Sequence, residues 1–240
     1  MTRRNNPLRK VGKLAGAALA TAAGAYAGYA AITWIRYGRV SPGPYRGDRD
    51  ELLDRFMPTY EAVERHRRFV RAPAPVTLAA ATEMDLLESP VIRGIFKARA
   101  VILGATPDAR GRAGVLADVL ALGWGVLAER PGREVVVGGV TKPWEPNVSF
   151  RAIPPDDFAA FAEPDYVKIV WTLRADPVGD SHSIFRTETR VVATDEAARR
   201  KFRLYWAAFS PGIWLIRRLS LAPLQRDAER RASALVAVPR

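Results

Sequence analysis

Val167-Lys168-Ile169-Val170-Trp171-Thr172-Leu173-Arg174-Ala175 is the stretch that decides how this chain folds. Val167, Ile169, Trp171, Leu173 and Ala175 are apolar at every second position, and Lys168, Thr172 and Arg174 alternate with them. That period belongs to a strand with one buried side. Asp176-Pro177-Val178-Gly179-Asp180 supplies turn chemistry. Residues 181–193 then read as the returning strand of a hairpin, with Phe185, Thr187, Thr189 and Val191 on one face. From Thr194 the period lengthens. Ala198, Phe202, Tyr205, Trp206, Phe209, Ile213, Ile216 and Leu224 recur at steps of three, four or their multiples, the stripe of an amphipathic helix laid across a sheet. Asp195 and Glu196 suit the positive end of that helix, and Arg217, Arg218, Arg230 and Arg231 the other end. Ser210-Pro211-Gly212 predicts a kink or a break.

Upstream, residues 64–71 read as a first strand that Pro73 and Pro75 end. Helices are expected over 76–87 and over 90–103, with Pro90 in a first turn. Residues 48–57 predict a short helix, and 115–122 fit a helix and a strand equally. Strands follow at 124–130, 134–140 and 147–153, the first two joined by a tight turn at Pro131-Gly132. Pro154-Pro155 and residues 158–161 form a short cap.

With 240 residues, nearly half of them hydrophobic, the chain can bury one sizeable core, so a single domain with an appended segment is expected. Cysteine is absent, which excludes disulfides and thiolate chemistry. His66 and His182 are the only histidines and fall in separate strands, so neither a metal site nor a triad is expected. Gly138-Gly139 follows a valine run, but no helix opens after it, so it is no phosphate loop. No cofactor is expected. The net charge of +12 is unevenly spread: residues 1–47 carry +8, residues 199–240 carry +8, and the stretch between them −4. Basicity confined to the flanks fits anionic lipid or solvation, and nucleic acid is not an expected partner.

Arg3, Arg4, Arg9, Lys10 and Lys13 precede 22 uncharged residues, 14–35. As a helix this run would be roughly 33 Å long, enough to cross a bilayer. The expected organisation is a basic tail (1–13), a single-pass transmembrane helix (14–35), a linker (36–51) containing Ser41-Pro42-Gly43-Pro44, and a globular domain (52–235). Two alternatives stand beside the anchor: a signal peptide cleaved near Ala25-Tyr26-Ala27, and a soluble Ala-rich helix. The basic residues before the span outnumber Arg36, Arg39 and Arg46 after it, which places the N-terminus inside and the domain outside. Gly16, Ala20, Gly24 and Gly28 recur every four residues, a ribbon along which a second copy can pack to form a homodimer. An Ala- and Gly-rich run also produces that spacing by chance.

The order of elements joins several particular words: Leu53-Asp54-Arg55-Phe56-Met57-Pro58 followed by Tyr60-Glu61, Ser89-Pro90-Val91-Ile92-Arg93, residues 158–168, Thr187-Glu188-Thr189-Arg190, and Ala197, Arg199, Phe202, Tyr205 and Trp206 with Pro211-Gly212. Over about residues 52–232 the chain resembles the helix-grip fold of the START-related superfamily (SRPBCC), and more closely a bacterial branch of it. The resemblance implies an α+β domain in which a curved antiparallel sheet is wrapped on a long C-terminal helix. It also implies a cavity for lipids, sterols, polyketides or other apolar molecules. It transfers no catalytic residue.

On this basis Trp171, Phe185, Thr187, Thr189, Phe202, Trp206 and Phe209 are the candidate ligand-binding residues. The two threonine hydroxyls would fix a polar end within an apolar pocket. The plain alternative has the threonines as strand formers, with Glu188 paired to Arg186 or Arg190 on the solvent face. The function expected is a membrane-anchored binding or carrier protein for a hydrophobic or amphipathic, lipid-like small molecule. Two rivals remain: a cyclase- or aromatase-like enzyme with Glu188 or Glu83 as a cavity acid or base, and an anchored interaction module whose core its own aromatics fill.

Overall fold

Alternation in residues 167–193 produces the two longest strands of the protein, and the change of period after Thr194 produces its longest helix. A computed structural model describes residues 7–39, 50–105 and 113–237. The expected linker at Ser41-Pro42-Gly43-Pro44 and the basic residues Arg3 and Arg4 lie outside the described residues. In chain order the elements are α1 (Pro7–Arg36), α2 (Glu51–Phe56), β1 (Ala62–Val70), α3 (Ala74–Glu83), α4 (Pro90–Leu103), α5 (Val115–Ala121), β2 (Gly125–Arg130), β3 (Glu134–Thr141), β4 (Phe150–Arg151), α6 (Pro155–Phe158), β5 (Val167–Val178), β6 (His182–Ala193) and α7 (Glu196–Ala237). A single 3-10 turn at Leu86–Glu88 precedes α4. The class is α+β.

The strands form one antiparallel sheet in the order β1-β6-β5-β3-β2, with β4 paired to β3 beyond the end of β2. One face is covered by α3 and α7, where Leu173, Ala175, Phe185, Val135 and Val137 pack with Leu78, Leu221, Leu224 and Ala228. The other face is covered by α2 and α6. There Leu53, Phe56, Met57 and Phe158 pack on Val136 and Val170. With both faces covered, β3 is buried along its whole length, and Gly138 omits a side chain where a Cβ would meet Leu127 and Phe158. The antiparallel sheet and long C-terminal helix fit the helix-grip pattern expected from the sequence.

Local chemistry explains the start of α7. Asp195 caps its first turn, accepting from the Ala198 amide at 2.7 Å. Of the kink or break expected at Ser210-Pro211-Gly212, the break does not occur: α7 runs through both Pro211 and Pro223. Proline removes a helical hydrogen bond and crowds a carbonyl one turn back. Beside that site the Tyr26 hydroxyl donates to the Ala208 carbonyl. The strand expected over 147–153 shrinks to Phe150–Arg151, because only Val140 and Thr141 of β3 extend past β2 to pair with it. Residues 115–122, ambiguous in sequence, are helical over Val115–Ala121.

The transmembrane reading of residues 14–35 is corrected. Among the described residues no helix is long and apolar enough to cross a membrane. The length of α1 suffices, at 30 residues, but ten Ala and three Gly dilute its apolar run. Its C-terminal half docks along α7 instead. Arg203 donates to the Trp34 carbonyl from Nε at 3.0 Å and from Nη2 at 2.8 Å, and stacks 4.2 Å from the Trp34 ring centroid. Glu61, at the head of β1, takes a 2.6 Å hydrogen bond from the Tyr37 hydroxyl and pairs with Arg199 of α7, so it ties the chain after α1 to the start of α7. The ribbon of Gly16, Ala20, Gly24 and Gly28 is exposed, with open space around its glycines.

Candidate ligand site

Antiparallel register arranges the middle of the sheet in rows. Glu64 lies opposite Thr189, which lies opposite Trp171, and in the next row His66, Thr187 and Leu173 follow one another. Alternation puts both rows on the face under α7. Along α7, Phe202 and Trp206 anchor one end against Ala62, Val167 and Val191, while Leu221, Leu224 and Ala228 anchor the other against Trp171, Leu173 and Phe185. Ser210, Ile213 and Arg217 continue the same helical stripe between those anchors. The space between sheet and helix is therefore apolar at its two ends and polar in the middle.

The polar middle has defined geometry. Trp171 Nε1 donates to Thr187 Oγ1 at 2.7 Å. Arg217 Nη2 donates to Thr189 Oγ1 at 3.1 Å, and its Cζ sits 4.0 Å from the centroid of the Trp171 ring. His66 Nε2 is 3.4 Å from Glu64 Oε2. Burial pulls the Arg217 guanidinium from its ordinary range down to about 10, and the charge of Glu64 works the other way. Arg217, Thr189, Glu64, Ile169 and Ile213 are half-buried and all keep accessible surface.

The seven residues expected to bind ligand divide between the two ends and the middle. Trp171, Phe185 and Thr187 are buried and Thr189 half-buried, all on the grip face. Phe202, Trp206 and Phe209 instead belong to an aromatic stack. Phe202 is 5.7 Å from Trp206 and 5.9 Å from Tyr205, and Tyr205 is 4.8 Å from Phe209. That stack, joined by Tyr37 at 6.0 Å, forms a packed end wall. Sequence reasoning missed Arg217, Glu64, His66 and Ser210 as members of the site. Arg217 in particular was expected to serve the helix dipole on the outside. Continuing the step of Trp206, Ser210 and Ile213 would have put it on the inner stripe.

Neither carboxylate considered for acid–base work lies in this space. Glu83 is exposed and pairs with Arg231 at 2.6 Å. Glu188 is buried, but on the opposite face, under α2. Arg190 reaches Glu188 at 2.7 Å, Asp54 at 2.6 Å and the Met57 carbonyl at 2.8 Å, and Arg65 holds the other Glu188 oxygen at 3.0 Å. The pairing of Glu188 with Arg190 agrees with the plain sequence reading, but its expected solvent face is closed by α2.

On that same covered face Glu134 is almost fully buried, and Thr172 donates to it at 3.2 Å. Burial, then the neighbouring Asp50 carboxylate, push Glu134 up to about 7, against Arg174 and Arg130. A carboxyl raised on folding holds a proton that the unfolded chain releases. Its stabilising contribution is therefore complete below the usual value near 4.5 and is lost as pH rises through about 7. Glu134→Gln, which keeps an acceptor and cannot ionise, is expected to match the parent near pH 4. By pH 8 it should exceed the parent by a margin on the order of 3 kcal/mol. Thermal melts across that range check this, and a constant difference between the two proteins would contradict it.

Two surface concavities lie outside the grip. One of about 530 Å³ is lined by Arg67, Arg68, Phe69, Ile184 and Gln225, and one of about 510 Å³ includes Tyr37, Tyr60, Glu61, Arg199 and Arg203.

No family model matches the chain, and no curated protein does. Among solved structures it is similar to CalU16 from Micromonospora echinospora, with 13% identity over 74% of this chain and 99% of that one and a TM-score of 0.24. It is also similar to the Zhui aromatase/cyclase from Streptomyces sp. R1128, with 12% identity over 71% and 94% and a TM-score of 0.25. Ara h 8.0201 matches at 8% identity over 65% and 97%, with a TM-score of 0.19. Scores at this level carry no argument, and the architecture described above rests on its own strand order and register.

Proposed function

We propose that this chain binds a hydrophobic or amphipathic, lipid-like small molecule between the sheet and α7 and releases it unchanged. The observation that carries the reading is the middle of the grip: a few convergent polar groups, still accessible, between two apolar ends. Small-molecule sites have this composition, mostly apolar walls with a small number of placed polar groups that fix orientation. Glu188 and Glu83 offer no acid or base in the grip; the carboxylate that does belong to this space is Glu64 beside His66, and the mass of the released ligand separates carriage from turnover. In this reading the protein works at a lipid surface: Ile32 and Ile35 of α1 are exposed, and the sequence that opens the helix includes Arg9, Lys10 and Lys13.

Native mass spectrometry of the purified full chain after incubation with a mixed lipid extract tests the proposal. One ligand of a few hundred daltons per chain is the expected result, with its mass unaltered on release. A chain that stays unliganded at saturating lipid would contradict the proposal, as would release of a chemically changed product.

A further inference from the structure

Among the described residues, the arginines that pack against the sheet under α2 are paired with carboxylates, whereas Arg217 on the face under α7 is not. Under α2, Arg190 has Glu188 and Asp54, Arg65 has Glu188, and Arg174 has Asp176 at 2.7 Å with Asp50 at 3.9 Å. Arg217 has only the neutral hydroxyl of Thr189 and the face of Trp171. Among the described residues no carboxylate comes within ion-pair distance of it, and Glu64 acts on it only through space.

The geometry leaves a specific vacancy in the bonding of that side chain. A guanidinium carries five N–H donors in one plane. The indole of Trp171 takes one face and Thr189 takes one donor on Nη2, so in-plane donors of this half-buried side chain remain unmatched by the protein. A desolvated cation without a counter-charge is unfavourable, and a planar carboxylate matches the guanidinium fork with two parallel hydrogen bonds. Apolar walls lie to both sides along α7, formed by Leu221 and Leu224 toward one end and by Ile213 and Trp206 toward the other.

We infer that the ligand of the grip is an amphipathic acid whose carboxylate seats on Arg217, with Trp171 and Thr189 holding the guanidinium in place. This deepens the proposed function and rests on it. Trp171 and Thr189 act as positioning residues: the indole stacks on the guanidinium face and the hydroxyl fixes its rotation. Glu64, on the neighbouring strand, disfavours a carboxylate lying toward β1.

The test is calorimetric titration of the full chain at neutral pH with dodecanoate and with its neutral isostere dodecanamide, for the parent, Arg217→Met and Arg217→Lys. The parent is expected to prefer the acid by roughly 10- to 100-fold, the usual size of a charge-assisted pair. Methionine keeps the bulk of the stem without the charge and should abolish the preference. Lysine keeps the charge without the fork and should retain part of it. Equal binding of acid and amide by the parent overturns the inference and leaves the ligand-binding reading intact, as does a preference that survives Arg217→Met. Failure of the parent to bind either probe overturns both. Circular dichroism of each variant confirms folding, and if Arg217→Met does not fold, the parent's acid-to-amide ratio and the Arg217→Lys ratio decide.

Discussion

Arg190→Ala is expected to lower stability by roughly 3 to 5 kcal/mol, the range for removing one partner of a buried ion pair. The Arg190 side chain is 3% exposed and serves three acceptors at once: Glu188, Asp54 and the Met57 carbonyl. Tyr60 lies over its guanidinium, 4.6 Å from ring centroid to Cζ. Without the arginine, Glu188 keeps only Arg65, and the end of α2 loses the hydrogen bond that holds Met57 against the sheet. Arg151→Ala is the matched control. Arg151 pairs with Glu163 at 2.8 Å, but both side chains are about half exposed, and such a pair contributes roughly 0 to 1 kcal/mol. Urea unfolding of the two variants should separate them by at least about 2 kcal/mol. A loss within about 1 kcal/mol for Arg190→Ala would mean that α2 is not seated on this face as described.

Phe202→Ala is expected to be about as severe, at roughly 3 to 5 kcal/mol. Phe202 is 1% exposed and sits where Tyr37, Tyr205 and Trp206 converge on Ala62, Val167 and Val191. Truncation removes the transfer energy of the ring and leaves a hole that three large neighbouring rings cannot easily fill. The size of the effect also decides what this end of the grip is. A large loss in denaturant titration marks a packed end wall. A loss below about 1 kcal/mol would mean that the ring already faces empty space and would return Phe202, with Trp206 and Phe209, to the lining of the ligand cavity.

Strand and helix order was legible because the two periods are unambiguous where they matter. The alternation through Val167 to Ala175 and the stripe from Ala198 to Leu224 became β5 and α7, and residues 185–191 showed the face they occupy. Parity also put Glu188 and Arg190 opposite the threonines. Nothing local revealed that α2 would cover that side, since the coverage depends on Leu53, Phe56 and Met57 docking on Val136 and Val170, far away in the chain. Arg217 went unrecognised for a different reason. A charged residue near the C-terminal part of a helix has an easy outside explanation in the dipole, and that explanation hides its phase with Ile213 and Leu221. Glu64 and His66 lie in a stretch of β1 with charges at most positions, so alternation carried little information there. The reading of residues 14–35 as a span came from the absence of charge, whereas crossing a bilayer depends on hydrophobicity, which Ala and Gly supply poorly.

The claim on which the rest depends is that a ligand lies between the sheet and α7. The most direct measurement is a crystal structure of the chain with 12-bromododecanoate, located by the anomalous signal of bromine. A bromine peak between α7 and the sheet, with the carboxylate within hydrogen-bond distance of Arg217, is the predicted result. A peak in the groove beside Arg67 and Gln225 or in the one beside Tyr37 and Arg203, with the space under α7 closed by side chains, would contradict it.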